Sequence, residues 1–174
     1  VDGRWKCPPE GVTLNLNNAG TAARFLAGAA LLAPSPVVID GNARMRERPI
    51  GELAGMLRAL GCVPEHLGKD GCPPLKITPP SNAQGTGVVL EVPPTLSSQF
   101  VSALLLAAPW VKGGITLRMV GEITSASYIA MTLGLLSRLG ACVQTSDHMR
   151  VIRVRGAWRD ETEERPVVMG LDAF

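Results

Sequence analysis

The chain has 174 residues, of which 46% are hydrophobic, 18% are charged and 4% are aromatic, and its formal net charge is +2. This composition is typical of a well-buried α/β protein and excludes a disordered or fibrous one. The small net charge argues against nucleic-acid binding, and no apolar run reaches the roughly 18 residues that a membrane span needs.

The first half of the chain predicts a supersecondary unit with the order strand, helix, strand, helix, strand, strand. The first predicted helix is rich in Ala and Leu without proline. Pro49 lies near the expected start of the second helix, and Gly61 is its expected stop. The predicted strands are residues 12–16, 37–40, 62–67 and 75–77, and the predicted helices are residues 22–32 and 49–60.

The second half predicts the same order again, after a Pro- and Gly-containing surface loop at residues 79–87. Its predicted strands are residues 88–92, 115–119, 141–145 and 151–155, and its predicted helices are residues 98–107 and 126–139. A charged turn at residues 158–165 and the start of a further strand at residues 166–171 follow. We expect one partial domain over residues 1–174, with unit one at about 12–80 and unit two at about 88–156, cut from a longer chain.

A direct sequence repeat relates the two units. Residues 19–34 align without a gap on residues 94–109, so that Phe25 falls on Phe100, and a second match places Ile50 on Ile129. Self-similarity of this kind indicates one supersecondary unit used twice, each copy helping to bury its neighbour. The two copies differ where the first strand meets the first helix, and the differing residues are Asn18, Gly20 and Thr21 in one copy and Ser97, Ser98 and Gln99 in the other.

These two junctions have two interpretations each. Free N–H groups at a helix start form an anion site where small residues permit close approach, and Gly20 would permit it. The alternative is an ordinary N-cap made by Asn18 or Thr21. Ser97 and Ser98 are equally typical of caps, although two serines followed by Gln99 are more than a cap requires.

The second loop of unit one carries three arginines in five residues, Arg44, Arg46 and Arg48. They repel one another unless solvent, the intervening Glu47 or an anionic ligand separates them. Either a solvated charge run or a doubly anionic substrate explains the cluster. The equivalent loop of unit two is neutral, and its residues Ser125, Ser127 and Tyr128 offer hydroxyl groups, although Tyr128 is equally consistent with a solvated helix residue.

The cysteines and histidines show no metal-site pattern, because no CxxC pair and no His at metal spacing occurs. We therefore expect no metal. Cys62 follows Leu60-Gly61 directly and Cys142 follows Leu139-Gly140 after one alanine, which favours buried free thiols and a reducing compartment over a disulfide. His66 and His148 are expected to be structural or exposed.

Taken together, five segments resemble the 5-enolpyruvylshikimate-3-phosphate synthase family, the shikimate-pathway transferases that glyphosate targets. They occur in the family's order and spacing over about residues 14–155, and they are residues 18–24, 41–51, 72–75, 96–99 and 125–128. The resemblance implies the enolpyruvate transferase fold, an inverse α/β barrel in which each of two domains has three βαβαββ units around a pseudo-threefold axis. About two units of the N-terminal domain would be present here.

The resemblance also implies a function, the transfer of the enolpyruvyl group of phosphoenolpyruvate to the 5-hydroxyl of shikimate 3-phosphate, without metal or cofactor. It implies phosphoenolpyruvate contacts at Gly20, Arg48 and Gln99, shikimate 3-phosphate contacts at Ser97, Ser98, Gln99, Ser125 and Tyr128, and supporting roles for Asn18, Thr21, Arg24 and Arg44. No catalytic acid or base is expected in this chain, since the family carries those residues in its second domain. The isolated chain should be inactive.

The chain departs from the family pattern in three places. Asn17 stands where the family usually has glycine, Phe25 stands where many members have proline, and the family's N-terminal Lys-Ser motif is absent. Two alternatives remain, UDP-N-acetylglucosamine enolpyruvyl transferase and a non-catalytic anion-binding module of the same fold. The expected partners are the two anionic substrates and the second domain of the same chain, with no nucleic acid or membrane, in the cytoplasm or in a plastid if the source is a plant.

Overall fold

The computed structural model describes residues 7–81, 87–94 and 97–156. The predicted charged turn at residues 158–165, the predicted strand at residues 166–171 and most of the loop at residues 79–87 lie outside the described residues. Short 3₁₀ turns, among them Met45–Glu47, supplement the helices and strands.

Unit one forms a four-stranded mixed sheet with two helices. Its strand order is β1-β2-β4-β3, in which β1 and β2 are parallel and the other neighbours are antiparallel. The elements are β1 (Val12–Asn15), α1 (Gly20–Ala29), β2 (Val37–Asp40), α2 (Gly51–Ala59), β3 (Val63–His66) and β4 (Leu75–Thr78).

Unit two repeats this topology with the strand order β5-β6-β8-β7, and β5 and β6 are its parallel pair. The elements are β5 (Val88–Val92), α3 (Ser98–Ala107), β6 (Ile115–Met119), α4 (Ala126–Arg138), β7 (Ala141–Thr145) and β8 (Val151–Gly156). The predicted α/β class and the βαβαββ order of both units are confirmed.

The core lies between the helices and one face of each sheet. The strands alternate between buried and more exposed residues because successive side chains point to opposite faces. In β2, for example, Val37 and Ile39 are fully buried beside Leu75 and Ile77 of β4. Each such side chain contributes about 1.5–3 kcal/mol of hydrophobic free energy.

Helices α1 and α3 hold the two units together. They run in the same direction, because Thr21 and Arg24 contact Gln99 at one end, whereas Gly28 meets Ala103 further along. A Cβ atom built on Gly28 would lie 2.8 Å from the Cβ of Ala103 and 2.8 Å from its carbonyl oxygen. Glycine at position 28 therefore permits the close approach of the two helices.

Two sequence predictions need adjustment. Pro49 lies outside α2, which begins at Gly51, and the N–H groups of Ile50 and Gly51 donate to the Gly71 carbonyl. The tertiary contact with Gly71, rather than the proline, thus marks the helix start. Cys62 and Cys72 are buried free thiols, whereas Cys7 and Cys142 are free but only partly buried. In the part of the chain that is described, no helix has both the length and the apolar character that crossing a bilayer requires.

Candidate anion-binding site

Both parallel strand pairs direct their following helices to one edge of their sheet. Because β1 and β2 are parallel, the segments leading into α1 and α2 leave from the same edge, and the same holds for β5 and β6. The contact between α1 and α3 then brings the helix starts of the two units together. The fold thus collects Gly20 and Arg24 of α1, Arg48 and Gln99 from three separate stretches of the predicted site.

The start of α1 has no side-chain cap. Ala19 precedes the helix, and the Gly20 N–H donates to the Asn18 carbonyl. Capping by the side chain of Asn18 or Thr21 was therefore a wrong prediction. Among the described residues, the N–H groups of Thr21 and Ala22 have no acceptor, so they are available to an anion at the positive end of the helix dipole.

The guanidinium of Arg48 lies over Gly20. A Cβ atom built on Gly20 would collide with the Nη1 atom of Arg48, so any larger residue would displace that arginine. The same guanidinium borders a shallow cleft that is partly open to solvent. The cleft is lined by Gly20, Ala23, Arg24, Met45, Arg48, Pro49, Ile50 and Pro73.

Arg24 is the second cation of the site. Its Nη1 donates to Oε1 of Gln99 at 2.7 Å, and its guanidinium carbon lies 5.2 Å from the centre of the Phe100 ring. Partial burial first, and then the positive charge of Arg48, lower the pKa of Arg24 from its usual value. It remains protonated at neutral pH, so the cleft holds two positive charges, and no carboxylate in the described part of the chain pairs with either.

Gln99 uses both ends of its amide across the boundary between the units. Its Oε1 accepts from Arg24, and its Nε2 donates to Oγ1 of Thr21 at 3.1 Å. The donor and acceptor positions of the partners fix the orientation of the amide. Thr21 and Arg24, which were predicted only to support the site, thus hold Gln99 directly.

Ser97 and Ser98 lie at the start of α3, beside Gln99. Ser97 caps the helix, because its Oγ accepts from the Gln99 N–H at 3.3 Å. The capping interpretation of Ser97 is therefore confirmed, which leaves a further role in binding open. Ser98 is the first residue of the helix and is 7% exposed.

The arginine cluster of unit one divides into three different environments. Arg46 forms a bidentate ion pair with Asp40, at 2.8 and 2.7 Å, rather than with Glu47. The hydrogen bonds from Arg46 hold the pKa of Asp40 below its usual value. Arg44 is exposed and has no ion pair among the described residues, so Arg48 is the member of the cluster that faces the cleft.

The candidate residues of α4 lie apart from this group. Ser125 precedes the helix with a left-handed backbone (φ 50°), and its side chain makes no cap. Tyr128 is 62% exposed, which agrees with a solvated helix residue. No described contact joins either residue to the Arg48 group. Helices α3 and α4 are joined by a side-chain hydrogen bond about one turn after Tyr128, where the hydroxyl groups of Ser102 and Thr132 are 2.9 Å apart.

The turn before α1 keeps the shape expected of its usual glycine. Asn17 has φ 51°, a left-handed conformation that Asn tolerates better than most residues. Its carbonyl accepts from the Asn42 N–H at 3.0 Å. The substitution of Asn for glycine in this turn is therefore compatible with the loop geometry.

Several residues of the site were not predicted. Met45, Ile50 and Pro73 line the cleft, and Phe100 lies beneath Arg24. Pro73 belongs to a segment that contributed to the resemblance, but its residue type indicates no chemistry. Nδ1 of His66 donates to the Cys72 carbonyl at 2.8 Å, as expected for a structural histidine. The described residues include no group of three or more His, Cys, Asp or Glu that could hold a metal.

Comparison with known proteins shows the family to which the chain belongs. The family model of EPSP synthase (3-phosphoshikimate 1-carboxyvinyltransferase) matches residues 2–170. Two relatives named 3-phosphoshikimate 1-carboxyvinyltransferase are those of Shewanella amazonensis, 44% identical over 138 residues, and Methanoregula boonei, 38% identical over 151 residues. These matches cover 79% and 87% of this chain but 31% and 35% of the relatives.

A solved structure of EPSP synthase from Acinetobacter baumannii has the same fold. It is 27% identical, with a TM-score of 0.68, and the match covers 87% of this chain and 32% of that one. The chain therefore spans about a third of the length of the proteins it matches. With the family model matching nearly its whole length, the chain belongs to the EPSP synthase family.

Proposed function

We propose that the full-length protein transfers the enolpyruvyl group of phosphoenolpyruvate to the 5-hydroxyl of shikimate 3-phosphate. In the addition step the hydroxyl loses its proton to a base as its oxygen bonds to C2 of phosphoenolpyruvate, while C3 gains a proton from an acid. In the elimination step C3 loses a proton, the bond from C2 to the phosphate oxygen breaks, and inorganic phosphate leaves. Family membership supports this activity, and the cation pair beside the open start of α1 supports the binding part of it.

The arrangement around Gly20 carries the proposal. Phosphoenolpyruvate bears a phosphate and a carboxylate, and a guanidinium can bind either group with two parallel hydrogen bonds. Arg48 lies over Gly20 at the start of α1, where the N–H groups of Thr21 and Ala22 have no acceptor among the described residues, and Arg24 adds a second positive charge. A doubly anionic ligand would relieve the repulsion between the two arginines, whereas a neutral ligand would leave it.

The remaining roles follow from position along the site. We assign the backbone at Gly20 and the side chains of Arg48 and Gln99 to phosphoenolpyruvate. Gln99 would contact both substrates. We assign to shikimate 3-phosphate the hydroxyl groups at the starts of α3 and α4, which belong to Ser97, Ser98, Ser125 and Tyr128. Asn18 and Arg44 remain supporting candidates, because neither touches the cleft.

This chain would supply part of the complete site. We infer that a second domain of the full-length protein adds the acid and base for the proton transfers and closes over the substrates. The substrates and that domain are then the partners, and no metal, cofactor, nucleic acid or membrane takes part. The free thiols agree with a reducing compartment, for which we propose the cytoplasm.

Substrate binding by the full-length protein tests the proposal. Isothermal titration with shikimate 3-phosphate, followed by phosphoenolpyruvate, should give two saturable events, and an assay of phosphate release should show turnover. Arg48→Ala should chiefly weaken phosphoenolpyruvate binding, and Ser97→Ala should chiefly weaken binding of the phosphorylated acceptor. Arg138→Ala, which removes an exposed arginine from the last turn of α4, is the matched charge control.

The outcomes separate the competing functions. Two binding events without turnover would favour a non-catalytic anion-binding module. Turnover with UDP-N-acetylglucosamine instead of shikimate 3-phosphate would favour the sister enzyme, whose mobile loop would carry a cysteine that residues 41–48 lack. If Arg48→Ala and Ser97→Ala both behave like Arg138→Ala, the assigned roles are wrong.

A further inference from the structure

Three asparagines join the loop that precedes α1 to the loop that carries Arg48. The Asn17 N–H donates to Oδ1 of Asn15 at 3.1 Å, and Nδ2 of Asn42 donates to Oδ1 of Asn17 at 2.8 Å. Backbone contact reinforces this link, because the Asn42 N–H donates to the Asn17 carbonyl at 3.0 Å. None of these three residues lines the cleft.

Asn42 connects this link to the turn before Arg48. Its Oδ1 accepts from the Met45 N–H at 3.0 Å, and its carbonyl accepts from the Arg46 N–H at 3.2 Å. The same amide therefore caps the 3₁₀ turn Met45–Glu47 with its oxygen and reaches Asn17 with its nitrogen. Met45 is 1% exposed and lines the cleft, so the turn is also anchored in the core.

The two loops are already in close contact at their backbones. A Cβ atom built on Gly41 would collide with the Asn17 carbonyl oxygen. Glycine at position 17 could keep that contact and the left-handed conformation, but it has no side chain to accept the hydrogen bond from Asn42. The Asn17 side chain thus adds an amide hydrogen bond to a turn whose backbone conformation does not need it.

We propose that Asn17 and Asn42 are positioning residues for Arg48. Their amide pair fixes the loop at residues 41–48 relative to the start of α1, and thereby holds the Arg48 guanidinium over Gly20. This inference rests on the proposed function, since it assigns the effect to phosphoenolpyruvate binding. The pair is exposed to solvent, so its net contribution is that of one ordinary hydrogen bond.

Two neutral variants remove the pair without removing the turns. Asn17→Gly keeps the left-handed conformation, and Asn42→Ser keeps a hydroxyl that can cap the 3₁₀ turn. In the full-length protein, each should raise the KM for phosphoenolpyruvate about two- to tenfold, with kcat and the KM for shikimate 3-phosphate unchanged. The double variant should show no larger change than the single ones, because both remove the same hydrogen bond.

His148→Gly is the matched control. His148 is also exposed and left-handed (φ 56°), and it lies between β7 and β8, outside the described site. Its replacement should leave both KM values unchanged. Equal effects of His148→Gly and Asn17→Gly, multiplicative effects in the double variant, or a change confined to kcat would each overturn the proposal.

Amide hydrogen exchange provides a readout that does not depend on activity. The Met45, Arg46 and Arg48 amides should exchange about two- to tenfold faster in Asn17→Gly and Asn42→Ser, and at the wild-type rate in His148→Gly. Unchanged exchange would overturn the proposed link whatever the kinetics. If the variants exchange faster but the wild-type protein shows no turnover, the link between the loops is supported and the proposed function is wrong.

Discussion

The close approach of α1 to α3 at Gly28 makes Gly28→Ala a sharp test of the packing between the two units. A new Cβ atom would lie 2.8 Å from the Cβ and carbonyl oxygen of Ala103, closer than real Cβ atoms approach their neighbours. Because the carbonyl belongs to the α3 backbone, the helices must separate, at an overpacking cost of about 1–3 kcal/mol. Alanine's better helix propensity offsets about 0.5–1 kcal/mol of that cost.

Two other helical glycines isolate the packing contribution. Gly55 in α2 and Gly134 in α4 occupy equivalent repeat positions, and a Cβ atom on either would meet nothing within 4 Å. Alanine at these positions should stabilise the chain by about 0.5–1 kcal/mol, because only the propensity term acts. Urea unfolding followed by circular dichroism should therefore rank Gly28→Ala about 1–3 kcal/mol below both controls. If Gly28→Ala stabilises the chain as much as the controls do, the inferred contact between α1 and α3 is wrong.

Three further measurements test other parts of the structure. Burial raises the pKa of Cys62 to about 11, so the stability that its neutral thiol contributes should be lost as the pH rises from about 9 to about 11. In Cys62→Ala, the free energy of unfolding in urea should change less with pH over this range. The hydrogen bonds from Arg46 lower the pKa of Asp40, so the stability difference between the wild type and Asp40→Asn should be largest near neutral pH and should shrink below pH 3.8. A stability difference that does not change with pH would contradict the ion pair with Arg46. Leu135 of α4 is 49% exposed, whereas its repeat equivalent in α2, Met56, is 5% exposed. Leu135→Lys should therefore reduce self-association of the 174-residue chain through this apolar face, as measured by sedimentation. An unchanged sedimentation profile would contradict association through this face.

The sequence was sufficient for most of the secondary structure, because hydrophobic periodicity and helix-stop glycines are local signals. The predicted bounds of β2, β5, α3, β6 and β7 agree with the structure. The helix starts of unit two agree with the prediction, whereas those of unit one do not, since α1 begins at Gly20 and α2 at Gly51, each two residues away from the predicted start. At those positions a residue distant in sequence, Arg48 or Gly71, contacts the helix start, and propensity contains no such information.

The site shows the same division between local and tertiary information. Residue types left the three arginines open between a solvated charge run and an anion site, and only the family resemblance indicated Arg48 as the ligand, a choice that its position over Gly20 supports. They did not indicate which of the three arginines would be neutralised. Asp40 is six residues from Arg46 and lies at the end of β2, so that its side chain is placed for the ion pair by the strand rather than by the charged segment itself.

The repeat has a physical meaning that alignment alone does not show. Arg24 aligns with Gln99 and Gly28 aligns with Ala103, each at a separation of 75 residues, and these same pairs contact each other between α1 and α3. Two copies of a unit related by rotation about an axis near those helices would bring equivalent residues together in this way. Identical residues there would place two arginines, or two glutamines, face to face. The difference between Arg24 and Gln99 is therefore first a requirement of the contact between the copies, which pairs a cation with an amide oxygen. It also gives the cleft the positive charge of Arg24, which Gln99 holds from the start of α3, so one pair of positions sets both the contact between the units and the charge of the cleft.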